Sequence, residues 1–169
     1  MSDTQTPTTG PTPVESAGRV GRRQGRVSEL TIILDLKPGA ADRLRAKLSD
    51  PRSSAYGAAE RVGTVHDMRF VIFDDDKRLL FATAYDGDWD SYIADFARLV
   101  PEMLDSIFQE CEGWPGLRDH PKETTDYIAA HQVTADGWYS AYPDASVRDI
   151  HRGQRIARAF DNLLDEAQE

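Results

Sequence analysis

Two neighbouring stretches of alternating residues constrain the fold of this chain more than any other feature. Residues 62–73 and 78–86 both place successive side chains on opposite sides, with the two-residue period of a β-strand. The polar run DDDK between them is short enough to turn the chain. We therefore predict an antiparallel hairpin. Apolar residues occur on both faces of the first strand, which indicates that both faces are covered in the folded protein.

Further elements on both sides of the hairpin predict a mixed α+β fold. Residues 29–36 are rich in β-branched residues and end before a Pro-Gly pair, as a strand does, and residues 40–50 have helical spacing. Asp88 can cap a second helix, which Pro101 kinks or splits. We also predict a short helix in ETTDYIAAHQV, a last strand in WYSAY, and a terminal helix that begins with a Ser-x-x-Asp capping pattern. The buried side of that terminal helix is predicted to be Val147, Ile150, Ile156, Phe160, Leu163 and Leu164.

The predicted order of elements is β-α-β-β-α-β with extra helices, which is the ferredoxin-like pattern. Such a sheet has helices on one face only, so its other face must find a cover. Two chains that pack their sheets together as a dimeric α+β barrel satisfy this need. We therefore expect a homodimer.

The first 26 residues differ from the rest in composition. They are rich in Thr, Pro, Gly and Ser and contain almost no large apolar side chain, so they bury too little surface to offset the entropy of ordering. We predict a disordered tail over residues 1–26 and an α+β domain over residues 27–169.

Charge and cysteine content exclude several classes of protein. The net charge of −9, from 20 Lys and Arg against 29 Asp and Glu, would repel a nucleic-acid backbone. No apolar run reaches the roughly 20 residues that cross a bilayer, so we expect no membrane span. Cys111 is the single cysteine, which fits a reducing, cytoplasmic compartment and leaves no partner for a disulfide or a metal site.

The hairpin also resembles a group of bacterial proteins. TVHDMRFVIFDD followed by LLFATAYDGDWDSYIADF is similar to largely uncharacterised ferredoxin-like proteins that have an H-x-x-R-F strand and an F-x-x-x-Y-D-G strand end. The topology is more distantly similar to the dimeric α+β barrel superfamily, which includes cofactor-free monooxygenases and haem-binding enzymes. The resemblance implies a ligand pocket and no particular reaction, because none of the active-site motifs of those relatives matches here.

His66 and Arg69 are the candidate chemical groups of the first hairpin strand. Regular alternation puts them on opposite faces, unless a bulge intervenes. His66 is a candidate general base or haem ligand, and the alternative is a histidine hydrogen-bonded within the sheet. Arg69 is a candidate ligand for a carboxylate or a haem propionate, and the alternative is an ion pair with Asp67.

Aromatic and sulfur-containing side chains supply the remaining candidate binding residues. These are Met68, Phe70, Tyr85, Trp89, Tyr92 and Trp138, which would line a pocket for an apolar or aromatic ligand. The alternative is that they form the core. The other histidines, His120, His131 and His151, lack metal-ligand spacing, so no metal site is predicted.

Two functions from different classes follow from these residues. The first is a non-catalytic or accessory protein that binds a small apolar or aromatic molecule, or docks on an oxidative enzyme. The second is a small oxidoreductase, either cofactor-free or with haem held by His66, that acts on an aromatic or polyketide-like substrate. The absence of a recognisable catalytic set favours the first.

Overall fold

A five-stranded antiparallel sheet in the order β1-β2-β3-β5-β4 organises the chain. The structure is a computed structural model and describes residues 12–50 and 54–166. The strands are β1 (Val14–Ser16), β2 (Arg22–Gln24), β3 (Val27–Asp35), β4 (Val65–Phe73) and β5 (Arg78–Asp86). The helices in these ranges are α1 (Ala40–Ser49), α2 (Ser54–Val62), α3 (Trp89–Leu99), α4 (Pro101–Phe108), α5 (Pro121–His131) and α6 (Val147–Glu166).

Most predicted elements are confirmed, including the hairpin. β4 and β5 pair with Phe70 opposite Phe81, and the turn between them lies at the predicted DDDK. Asp88 caps α3, because its carboxylate accepts a hydrogen bond from the Ser91 N–H at 3.0 Å. Pro101 splits the predicted second helix and stands at the first position of α4, where a missing N–H is tolerated.

The inner face of the sheet carries the hydrophobic core. Alternate residues of β3 and β5 point to this side and pack against α3 and α4. Phe81 lies at the centre, with its ring centroid 4.8 Å from that of Phe70 and 5.5 Å from that of Phe108 on α4. Aromatic pairs at these separations are favourable beyond the area they bury.

The outer face of the sheet is apolar near its middle, yet it lies outside the core. Ile33, Leu80 and Val71 stand side by side on β3, β5 and β4, and none of them belongs to the core cluster or packs on it. Val71 is 45% exposed. The prediction that both faces of the hairpin are covered therefore holds only for the inner face within the described residues.

The predicted disordered tail is wrong for residues 12–26, while residues 1–11 lie outside the described residues. β1 and β2 form a small hairpin that extends the sheet beside β3. Ala17 is fully buried, and its carbonyl accepts a hydrogen bond from the Trp89 N–H at 2.9 Å. Arg19 lies over the Trp89 ring, 5.6 Å from its centroid. Composition failed here because backbone hydrogen bonds, Arg19 and the small contacts of Ala17 and Val20 are sufficient to attach this segment.

The predicted last strand in WYSAY is also wrong, because the edge of β3 is already occupied. β2 pairs with the start of β3, the Val133 N–H donates to Thr31 O at 2.8 Å, and the Glu112 N–H donates to Asp35 O at 2.8 Å. Residues 137–142 instead form irregular structure, in which Tyr139 is 82% exposed and Tyr142 is 71% exposed.

The terminal helix forms as predicted but its apolar side is not buried. Val147 is buried and Ile150 is half-buried, whereas residues 151–165 are all exposed. Ser146 and Asp149 make the predicted capping pattern, since the Asp149 N–H donates to Ser146 Oγ at 3.2 Å and the Ser146 N–H donates to Asp149 Oδ2 at 3.1 Å. α6 therefore extends away from the sheet after its first turn.

Replacing Gly21 should show that the N-terminal hairpin contributes to the stability of the whole domain. Gly21 has a φ of 86°, and a Cβ there would lie 2.6 Å from Glu29 O and from Gln132 Nε2. We expect Gly21→Ala to lower the free energy of unfolding by about 2 kcal/mol. Urea denaturation measures this change. The control is Gly57→Ala on α2, which has open space around its Cβ and should raise stability by about 0.5–1 kcal/mol. Equal effects of the two substitutions would contradict a docked hairpin.

Candidate functional site

A β-bulge in β4 changes the face of the sheet on which the His66 side chain lies. The register of β4 against β5 shifts between Val65 and Asp67, so His66 is the extra residue. Regular alternation predicts His66 on the inner face, beside Met68. The bulge overturns this, because His66 contacts Asp86, which alternates with Ala84 on the outer side of β5. Bulges frequently reposition a side chain in this way.

The Asp86 carboxylate joins His66 to the beginning of α6. His66 Nε2 lies 2.8 Å from Asp86 Oδ1, and the Val147 N–H donates to Asp86 Oδ2 at 2.9 Å. The side chains of His66 and Asp86 are 16% and 15% exposed. One carboxylate therefore orients an imidazole and satisfies a free N–H in the first turn of a helix, as a capping residue does.

A cleft lies beside this pair, between the end of α2 and the first turn of α6. We call it the α2–α6 groove, and its volume is about 490 Å³. Its lining residues are Ala59, Glu60, Gly63, Val65, Val147, Arg148 and His151. Ala59, Val65 and Val147 are its more buried, apolar lining, while Glu60, Arg148 and His151 supply exposed polar groups. Pockets that hold small molecules have volumes from about 300 Å³ upward and combine these two kinds of surface.

Sequence reasoning missed most of this groove. α2 had too little pattern to be assigned from sequence, and Val147 was assigned only to the buried side of the terminal helix. Arg148 and His151 lie one turn apart on α6, a spacing that is visible in the sequence. The signal for Asp86 was weaker, since an acid before Gly87 reads as part of a turn.

Arg69 makes an ion pair on the outer face, in agreement with the simpler of its two interpretations. Its Nη1 lies 3.0 Å from Asp67 Oδ1, and both side chains are more than half exposed. An exposed pair of this kind contributes little to stability. Arg69 is thus paired with Asp67 and does not line the α2–α6 groove.

The aromatic residues of the predicted pocket pack against one another in the core. Tyr85 and Tyr92 are stacked with ring centroids 3.8 Å apart, and burial raises the pKa of both hydroxyls above their usual value. The Trp89 indole N–H donates to Gln132 Oε1 at 2.8 Å. Met68 and Phe70 also pack on the core, whereas Trp138 is half-buried in irregular structure outside the core cluster.

The core cavity beside these side chains is too small for a ligand. The cavity between the inner face of the sheet and α3 and α4, which Phe81, Tyr92 and Phe96 help to line, has a volume of about 20 Å³. This is space for about one water molecule. A ligand that contacted Tyr85, Trp89 or Tyr92 in a single described chain would have to displace protein.

The structure also contains two buried carboxylates that no sequence pattern had singled out. Glu29 accepts hydrogen bonds from the Arg22 N–H at 3.1 Å and from the Ala135 N–H at 3.4 Å, which links β3 to β2 and to the chain after α5. Glu110 accepts from Arg43 Nε and from Lys47 Nζ, each at 2.8 Å, and these hydrogen bonds hold its pKa below the usual value. Both acids have structural partners, so neither is an obvious reactive group.

The remaining titratable residues do not form a reactive or metal-binding cluster. Cys111 is fully buried, and burial raises the pKa of its thiol to about 12, which makes it a poor nucleophile at neutral pH. His131 Nδ1 contacts Tyr127 O at 2.8 Å, and no group of three or more metal-ligating side chains occurs in residues 12–50 and 54–166.

Comparison with known protein families, with curated proteins and with solved structures gives no match for this chain. The site must therefore be interpreted from its own geometry. Among the helices described, none combines the length and the apolar composition that crossing a membrane requires.

Asp86 should support both His66 and α6. We expect Asp86→Ala to lower the free energy of unfolding by about 2 kcal/mol, because the Val147 N–H loses its acceptor and His66 loses its partner. Asp86→Asn retains an oxygen for Val147 and should lose less. Urea denaturation measures stability, and hydrogen exchange of the α6 amides measures the local effect. Asp136→Ala, in a loop outside the groove, should change stability by less than about 0.5 kcal/mol. If Asp86→Ala were equally neutral, the bridging role would be wrong.

Proposed function

We propose that this protein binds a small aromatic or apolar molecule and acts without catalysing a reaction, as an accessory protein. The α2–α6 groove carries this proposal, because its volume of about 490 Å³ and its apolar lining suit a small ligand. The interior cavity of about 20 Å³ does not. The binding site therefore lies at the base of α6 and not among the aromatic residues of the core.

The polar groups of the groove favour a ligand with one acidic group. Arg148 presents a forked cation that suits a carboxylate, and His151 lies one turn further along the same face of α6. Glu60 on the α2 side would disfavour a second negative charge. An aromatic ring would rest on Ala59, Val65 and Val147, and its acid would face Arg148.

The outer face of the sheet supports the homodimer that the element order predicts. β3, β5 and β4 lie in that order in the sheet, with α1 and α2 between β3 and β4 and a hairpin turn between β4 and β5, as for the first, third and second strands of a ferredoxin-like fold. β2 takes the place that a fourth strand would have. Ile33, Leu80 and Val71 present an apolar strip to solvent, and a second sheet packed face to face would cover it.

His66 supports a second candidate function, a cofactor-free oxidoreductase acting on an aromatic substrate. A histidine oriented by a carboxylate can act as a general base, and Asp86 provides that orientation. Haem ligation has less support, because the Nε2 atom that would bind iron contacts Asp86. Oxygen uptake on addition of a bound ligand would favour this candidate over simple binding.

Binding should be detectable with simple aromatic acids and should depend on Arg148. We expect benzoate, phenylacetate or naphthoate to shift the amide resonances of α2 and of the first turn of α6 in NMR titrations. Arg148→Ala should raise the dissociation constant at least tenfold, which corresponds to about 1.4 kcal/mol of binding free energy, because it removes a charged hydrogen-bond donor. Arg158→Ala is the matched control on the same helix and outside the groove, and it should leave affinity unchanged. Titrations that shift no groove resonance with any of these acids would refute the proposal.

The proposed dimer should dissociate when a charge is placed on the outer face of the sheet. Val71→Asp introduces a carboxylate at an already exposed position, so the single chain should still fold. We expect it to raise the dimer dissociation constant by at least a hundredfold, since burying an unpaired charge is very unfavourable. Native mass spectrometry and light scattering measure the association. Asp136→Ala is the control, and an unchanged mass for Val71→Asp would exclude this interface.

A further inference from the structure

α6 presents an apolar stripe that nothing in the described part of the chain covers. Gly153, Ile156, Phe160 and Leu163 are separated by three, four and three residues, which is the spacing of a coiled-coil seam. Ile156 is 60% exposed and Phe160 is 57% exposed. A helix face with these residues is typical of a contact surface and not of a solvated one.

The length of α6 makes this exposure more significant. Its 20 residues extend over about 30 Å, and only the first turn rests on the sheet. Helices in proteins gain most of their stability from packing of an apolar face rather than from the propensity of their residues. The outer three quarters of α6 therefore require a contact that the described residues of one chain do not provide.

Most charges of α6 are arranged against its own dipole. Arg148, Arg152 and Arg155 lie in the N-terminal half, where Asp149 is the one acidic residue. Asp161, Asp165 and Glu166 lie in the C-terminal half, where Arg158 is the one basic residue and no basic residue lies in the last turn. Cations are unfavourable near the positive N-terminus of a helix, and anions are unfavourable near its negative C-terminus.

We propose that α6 pairs in antiparallel orientation with α6 of a second copy of this chain. In that orientation the basic half of one helix lies beside the acidic half of the other, and the two dipoles oppose each other favourably. Gly153 would face Leu163 of the other copy and Ile156 would face Phe160, so the stripe is buried against itself. A parallel pair would place like charges side by side along the whole helix.

The same stripe fits the outer face of the sheet less well. That face carries Asp67 and Arg69 paired with each other, and Asp35 beside Arg78, so its charges are already matched locally. It offers no separated positive and negative halves that would align α6. Charge complementarity therefore favours α6 of a second copy as the occupant.

Disulfide trapping between two variants, each with one cysteine added to the native Cys111, tests both the pairing and its direction. Full-length chains with Gly153→Cys and with Leu163→Cys are mixed in equal amounts and oxidised, then analysed by mass spectrometry. A cysteine side chain fits at position 153, because a Cβ there has no neighbour within 4 Å. The native Cys111 is fully buried, so it does not compete in the oxidation. We expect the mixed disulfide to exceed each homodisulfide at least tenfold. Arg158→Cys, which lies on the opposite face of α6 from the stripe, is the matched control and should form no disulfide above background.

Formation of the mixed disulfide should depend on the apolar stripe of α6 and not on the outer face of the sheet. Phe160→Asp, added to both cysteine variants, should abolish the mixed disulfide, because Phe160 lies outside the folded body and its loss leaves the single chain intact. Val71→Asp should leave it unchanged, which separates this pairing from the sheet-to-sheet dimer proposed above. Predominant homodisulfides, a yield no higher than that of the Arg158→Cys control, or loss of the cross-link with Val71→Asp would each overturn the antiparallel α6 pair.

Discussion

The structure depends on satisfying the two backbone edges of β3. One edge pairs with β5 along nine residues, from Val27 opposite Asp86 to Asp35 opposite Arg78. The other edge has no single partner strand, and unpaired N–H and C=O groups in a buried strand are costly. Three separate pieces of chain pair with this second edge, namely β2 at the start, the residues after α5 in the middle, and the residues after α4 at the end. This requirement brings the N-terminal hairpin, α4 and α5 together around one strand.

Local patterns predicted the elements well, because each had a cause within a few residues. The hairpin followed from alternation, α3 began at Asp88 because a carboxylate can accept from Ser91, and α4 began at Pro101 because proline tolerates the first helical position. These are short-range effects of backbone geometry and capping. They do not depend on what the element later packs against.

The errors arose where a distant part of the chain decided the outcome. The WYSAY segment has high strand propensity, but the edge it would need is occupied by β2 and by Val133. The segment before Val27 has low apolar content, yet Trp89 and the β3 edge hold it in place. The α2–α6 groove likewise joins residues that are far apart in the chain, such as Ala59 and Val147. His66 reaches its partner only through a bulge that alternation does not reveal.

α6 is a long helix that is attached to the sheet at its first turn, so a small change of angle there moves its far end by a larger distance. Asp86 holds the first turn through the Val147 N–H, and residues 151–165 extend free of the sheet. A tilt of about 10° at that attachment moves the far end of an arm of about 30 Å by about 5 Å, a displacement equal to about one turn of helix. The α2–α6 groove lies at the pivot, where α2 faces the first turn of α6. Small changes in side-chain position at the base of the arm are therefore magnified where the arm ends.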